Sequence, residues 1–148
     1  MIRRGWTLYA YPLFDAQYDR LLDRVEAAKR ADPAHYTSQT AYKLLATIDR
    51  YTEESIPANP SAPQFRQGNT LGKENRHWFR AKFHERYRLF FRFSTKDKII
   101  VYAWVNDEST LRKHGSRTDP YSLFQARLKS GNPPETMEEL IAASRKMS

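Results

Sequence analysis

Six residues on two neighbouring stretches carry the chemistry most plainly: Trp78, Arg80 and Lys82 in one, Arg88, Phe90 and Arg92 in the other. Within each stretch the spacing is two, the repeat of a β-strand. Only His84-Glu85-Arg86 separates the alternating segments, so the pair reads as a hairpin. A register that keeps parity puts all six side chains on one face of a sheet. Adjacent strands lie about 4.8 Å apart, and four cations so close repel one another unless an anion is near. They could instead be exposed face residues whose stems cover apolar surface. The interleaved aromatics argue for a ligand. Guanidinium groups grip phosphate bidentately, and aromatic faces stack on unpaired bases. The combination suits single-stranded RNA or DNA better than a lipid surface.

Other candidates are thinner. His35, His77, His84 and His114 show no metal-ligand spacing, and no metal is expected. Gly68-Asn69-Thr70-Leu71-Gly72-Lys73 lacks the ending and the preceding strand of a phosphate-binding loop. Asp107 and Glu108 adjoin the end of an apolar segment, where acids serve as a general base or, more commonly, as turn formers. Tyr121 opens a C-terminal helix beside the same loop, with packing and function equally open to it. There is no cysteine, which removes disulfides and thiolate chemistry.

Charge is unevenly distributed along the 148 residues, whose formal net charge is +8. Residues 1–64 hold 8 basic and 8 acidic side chains, residues 65–131 hold 15 and 6, and residues 132–148 hold 2 and 3. The surplus therefore sits where the two cationic stretches are, which favours an anionic partner over a generally solvated surface. No apolar run approaches a membrane span, and the N-terminus shows no apolar signal core. A cytoplasmic protein without membrane contact is expected.

The elements that must position these residues read as a single domain, 1–148. Trp6 to Tyr11 is a short strand ended by Pro12. Phe14, Tyr18, Leu21, Leu22, Val25 and Ala28 recur at helical spacing. Asp32-Pro33 predicts the start of a second helix, burying Tyr36, Thr40, Ala41, Leu44, Leu45, Ile48 and Tyr51 and stopping before Pro57. A Pro/Gly-rich connection spans 57–76. Strands are predicted over Trp78–Phe83, Tyr87–Phe93 and Ile99–Val105, the last apolar on both faces as an interior strand is. Thr118-Asp119-Pro120 starts another helix, and Thr136 with Glu139 forms a capping box in a helical extension over 132–148. The fold class is α+β, a small antiparallel sheet with an N-terminal helical hairpin on one face and C-terminal helices.

The stretches 78–83 and 87–92 resemble the strand pair of RelE-family bacterial toxins. Segments 5–10, 41–46, 59–66, 87–93, 104–112 and 131–134 are similar to the YhaV subgroup of that RelE/ParE superfamily, so the likeness covers nearly the whole chain. The resemblance implies a RelE/ParE-type fold and cleavage of mRNA dependent on the translating ribosome, with no cofactor. It also implies a PrlF-type, AbrB-like antitoxin as partner, with operator DNA bound only by the toxin–antitoxin complex, which represses its own operon. Residue by residue, it places the family's basic strand positions on Arg80 and Lys82 and its strand arginine on Arg88. The loop arginine falls on Arg112 or Arg117, with Lys113 also eligible, and the following tyrosine falls on Tyr121. Arginine at Arg80 replaces the family's lysine and cannot serve as a proton donor in turnover.

Cleavage of RNA without a metal, with the ribose 2′-OH as nucleophile, needs a proton acceptor, cations for the charged phosphorane and a donor for the leaving 5′-oxygen. Arg80, Arg88 and Arg112 are assigned to phosphate, Lys82 or Tyr121 to the proton if neighbouring cations lower its pKa, and Trp78 and Phe90 to base stacking. Arg92, Lys113 and Arg117 extend the RNA contact. Two other classes fit the same sequence: a non-catalytic nucleic-acid-binding module, and a ParE-like toxin that acts on a protein target.

Overall fold

A computed structural model describes all residues 1–148. Its spine is a six-stranded sheet in the order β1–β2–β5–β4–β3. The strands are β1 (Ile2–Arg3), β2 (Trp6–Ala10), β3 (Phe79–Phe83), β4 (Tyr87–Ser94), β5 (Ile99–Val105) and β6 (Arg145–Lys146). Short β6 pairs with β2 on the same edge as β1.

The alternation at 78–83 and 87–93 forms the predicted hairpin, and its register keeps parity: Arg80 pairs with Phe90 and Lys82 with Arg88. β5 is the apolar interior strand expected, buried between β4 and β2. The sheet is mixed rather than antiparallel, because β2 runs parallel to β5. Local alternation reports consecutive pairs only. The direction of a partner ninety residues away is decided by how the intervening helices return the chain, which no local pattern records.

Helices α1 (Pro12–Ala31) and α2 (Thr40–Arg50) cover one face. Phe14, Leu21 and Val25 of α1 and Leu44, Leu45 and Ile48 of α2 share a core with Leu8, Ala81, Leu89, Phe91, Ile100 and Tyr102. Helix α2 starts at Thr40, not at Asp32-Pro33. Asp32 instead closes α1, its amide donating to the Ala28 carbonyl, while its carboxylate meets the His35 ring. The signals of a helix start and of a helix-ending turn coincide in that dipeptide. Beyond Arg50 the helix widens into a π-helical turn at Tyr51–Ser55 before the short α3 (Ile56–Ala58). The wider turn admits Pro57, whose ring would collide with the preceding turn of a regular helix.

The opposite face is covered as well. Helices α4 (Pro120–Lys129) and α5 (Met137–Ala142) lie on it. Phe124 and Leu140 pack there with Trp78, Phe90, Val101, Ala103 and Trp104. A bulge where Phe90 pairs with Trp104 and Phe91 with Tyr102 lets Ala103 and Trp104 both face this second core. Thr136 caps α5 as predicted, the Glu139 amide donating to its Oγ1 at 3.1 Å, but the Glu139 carboxylate accepts from the Thr136 hydroxyl rather than from its amide, so only half of the capping box forms. The C-terminal extension is not wholly helical: after α5 it returns to the sheet as β6, where Arg145 pairs bidentately with Asp15. A two-residue strand is too short to show any alternation in sequence.

Candidate active site

One end of β3 and β4 carries a cluster built around a phenol. Tyr121 is the second residue of α4, and its hydroxyl accepts from Arg80 Nε at 2.8 Å and from Arg88 Nε at 3.1 Å. Arg112 lies across the same ring, its guanidinium carbon 4.7 Å from the centroid. Arg80, Arg88 and Tyr121 are 8%, 7% and 6% exposed. Three guanidinium groups around one nearly buried phenol give intense local positive charge, and none of the three could be buried without partners.

Those partners leave one corner of each strand arginine free. Arg80 Nη1 donates to the Gln64 carbonyl at 2.9 Å. Arg88 Nη1 donates to the carbonyls of Glu85 and Tyr87 at 3.0 and 2.8 Å. Neither Nη2 has a protein acceptor, yet no buried side-chain nitrogen or oxygen lacks a partner, so both reach the surface. The hairpin turn serves this arrangement. His84 and Glu85 both sit at positive φ, 43° and 63°, a region costly for side chains other than glycine. His84 meets Thr47 of α2 at 2.9 Å, and the turn aims the Glu85 carbonyl at Arg88.

The loop that delivers Arg112 is tied down by two polar residues. Asn106, buried at the end of β5, accepts the Arg88 amide at 2.7 Å and donates to the carbonyls of Arg86 and Thr110. Asp119, 1% exposed, accepts from Arg112 Nη1 at 2.7 Å, the Lys113 amide at 2.7 Å and the Tyr121 amide at 3.0 Å. The Arg112 amide also donates to the Arg86 carbonyl, and Arg86 Nε returns a bond to the Arg112 carbonyl. Loop and hairpin are thereby one unit. Neither Asn106 nor Asp119 stood out in the sequence as a site residue; the only signal was Asp119 as a helix cap.

The structure thus brings together Arg80, Arg88, Arg112 and Tyr121. Lys82 is exposed on the same sheet face beside Arg88, its ammonium without a hydrogen-bond or ion-pair partner. Lys113 is exposed next to Arg112, and Arg117 is exposed without a side-chain partner. The expectation that Trp78 and Phe90 stack bases is corrected. They are 1% and 0% exposed, with Phe124 edge-on to Trp78 at 5.0 Å and stacked on Phe90 at 4.4 Å. Helix α4 occupies the faces a base would need. Arg92 is also committed elsewhere, lying 5.5 Å over the Trp78 ring and donating to the Glu135 carbonyl, and burial lowers its pKa. Its job is to fasten the segment before α5.

Asp107 and Glu108 turn away from the cluster toward α1, meeting Gln17 and Arg24. Burial opposes the charge on Asp107, but hydrogen bonds from Ser109, Thr110 and Gln17 outweigh it and hold its carboxyl below the ordinary aspartate value. It shapes the loop. No three His, Asp or Glu side chains converge on one point anywhere in the chain.

A family model, described as a toxin with endonuclease activity, of toxin-antitoxin system, matches residues 8–145. The chain belongs to the YhaV toxin family. Toxin YhaV of Escherichia coli O6:H1 is 50% identical over 138 residues, covering 92% of this chain and 90% of that protein. The ribonuclease toxin YhaV of Escherichia coli K12 is 49% identical over the same span. No solved structure matches. The YhaV match takes in every member of the cluster from Arg80 to Tyr121.

Proposed function

We propose that this protein is the toxin of a toxin–antitoxin system that cleaves mRNA on the translating ribosome, without a metal, and so halts translation and growth. Family membership supplies the toxin and endonuclease activity, and a relative is named a ribonuclease toxin. The observation that carries the reading is the phenol of Tyr121 held between the Nε groups of two nearly buried arginines. A non-catalytic binding module gains nothing by burying its cations, whereas a phosphoryl-transfer site gains preorganised charge in a dry setting. A surface for poisoning a protein target has equally little use for it. The sheet and its flanking helices are compatible with a RelE/ParE-type toxin.

In this mechanism the scissile phosphate docks on the free Nη2 corners of Arg80 and Arg88 and on Arg112. The ribose 2′-oxygen attacks phosphorus as the bond to the 5′-oxygen breaks, giving a 2′,3′-cyclic phosphate and a 5′-hydroxyl. The guanidinium groups neutralise the added charge of the phosphorane. Both acceptor positions of Tyr121 Oη are filled by arginine N–H groups, which leaves its own hydrogen to donate, and the leaving 5′-oxygen receives it. Lys82, with Lys113 and Arg117, steadies the flanking RNA. Asp119 is consumed by its three bonds and Asp107 faces α1, so neither of these carboxylates serves the 2′-OH. The 2′-OH proton passes to an acceptor on the ribosome-bound RNA, which completes the site and is the chemical reason for ribosome dependence, and solvent water returns a proton to Tyr121.

A PrlF-type, AbrB-like antitoxin neutralises the toxin in the cytoplasm by presenting acidic residues to this unpaired positive charge, and the complex represses its operon. No helix is long and apolar enough to cross a membrane. The test is cleavage of a defined mRNA by purified protein with and without ribosomes, with 5′ ends mapped. New ends within translated codons only when ribosomes are present support the reading. Intact mRNA under both conditions, with growth still inhibited in cells, would replace it with a protein target.

A further inference from the structure

Helix N-capping needs one acceptor, and serine, threonine or asparagine supplies it as well as aspartate does. At the start of α4 that task takes one oxygen of Asp119, Oδ2, which accepts the Tyr121 amide. The other oxygen, Oδ1, accepts from Arg112 Nη1 and from the Lys113 amide, both at 2.7 Å. Arg112 is also the only basic residue of the cationic segment 65–131 with an ion-pair partner. A segment that otherwise leaves its cations without carboxylates has placed one carboxylate, 1% exposed, on both its loop arginine and the backbone amide of Tyr121.

Charge alone does not explain this. A carboxylate beside Arg112 weakens the attraction of that arginine for phosphate. What it supplies is orientation: Nη1 is held on Asp119 and the guanidinium carbon lies 4.7 Å from the Tyr121 ring centroid, while Nη2 meets only the exposed His114 ring at 3.4 Å. The same carboxylate sets the first turn of α4, and so fixes where the phenol stands.

We propose that Asp119 is a positioning residue of the site, one buried carboxylate that orients Arg112 and registers Tyr121 against it. The inference rests on the assignment of Arg112 to phosphate above. Orientation and attraction pull apart in a measurable way. Asp119→Asn keeps volume and a cap acceptor but removes the charge that fixes Arg112. Turnover (kcat) of ribosome-dependent cleavage falls about tenfold or more, as loss of a preorganised contact does. RNA is bound no more weakly, because a negative charge has left the site. A merely structural role would lower both together with the melting temperature.

The experiment is a cycle of wild type, Asp119→Asn, Arg112→Ala and the double variant, with kcat, KM and Tm for each. Positioning predicts that Asp119→Asn costs little more once Arg112 is absent. Wild-type kcat in Asp119→Asn, or losses that simply multiply in the double variant, overturns the inference. Wild-type kcat in Arg112→Ala would instead refute the site assignment beneath it. If Asp119→Asn does not fold, Asp119→Ser, which retains the cap oxygen, takes its place with the same expected and contrary results.

Discussion

Replacing Tyr121 by phenylalanine removes one oxygen and leaves the ring in place. That oxygen accepts from Arg80 at 2.8 Å and from Arg88 at 3.1 Å, and both arginines are more than nine-tenths buried. Each is a hydrogen bond from a charged donor, worth about 1.5–3 kcal/mol. The free Nη2 corners let water approach, so the lower part of that range applies and the pair together stabilises by about 3 kcal/mol. In a chain of this size that lowers Tm by roughly 6–12 °C. Activity should fall further than stability, by on the order of 100-fold at a temperature where both proteins are folded, because donor and charge organiser are lost together. Thermal melting and single-turnover cleavage on programmed ribosomes, done on the same preparations, read both effects. A Tyr121→Phe protein that melts within about 2 °C of wild type would show that the arginines do not depend on the phenol. Wild-type cleavage by that protein would refute the proton-donor role.

Trp78→Ala should cost about 3–5 kcal/mol as a core cavity, and loss of RNA affinity in a protein that stays folded would restore the stacking role the packing denies. Asn106→Ala strips three hydrogen bonds from the loop and hairpin; urea melts should show a loss of about 1–3 kcal/mol, with hydrogen exchange rising at Arg88 and Thr110. Asp107 titrates below its ordinary value of 3.8 in the fold. Its contribution is therefore complete above that value and lost as pH falls through the depressed folded value, so Asp107→Asn should flatten the dependence of Tm on pH below about 4. RNA binding with three to six phosphate contacts should weaken with salt, at a slope of about −2 to −4 in log K against log salt, and a slope near zero would contradict the electrostatic assignment.

Much of this was legible in the chain because it is periodic. The two-residue spacing of Trp78, Arg80, Lys82, Arg88, Phe90 and Arg92 predicts strand, hairpin and shared face, and the register pairs Arg80 with Phe90 and Lys82 with Arg88, while Trp78 falls just before β3. What alternation does not carry is what lies on that face. Helix α4 lands on Trp78 and Phe90 through Phe124, and an amphipathic helix says nothing of which surface receives it. For the same reason Arg92, sharing parity with Arg80 and Arg88, ended beneath the C-terminal segment while they ended beside Tyr121. The parallel pairing of β2 with β5 and the return of β6 are long-range choices with no local signature. Resemblance to a toxin family supplied Tyr121 and Arg112, which spacing left undecided. Asp119 and Asn106 escaped notice because a cap residue and a strand-end asparagine look ordinary until their second hydrogen-bond partners are seen.

Cleavage of mRNA by the buried arginine–phenol cluster is the proposal on which the other readings of the site depend. It is tested most directly by mapping mRNA 5′ ends after induction of wild type and of the separate Arg80→Ala and Arg88→Ala variants, each at equal levels of folded protein. New ends within translated codons are expected for wild type, reduced by on the order of 100-fold in both variants. Undiminished cleavage and toxicity in both would place the chemistry elsewhere in the molecule.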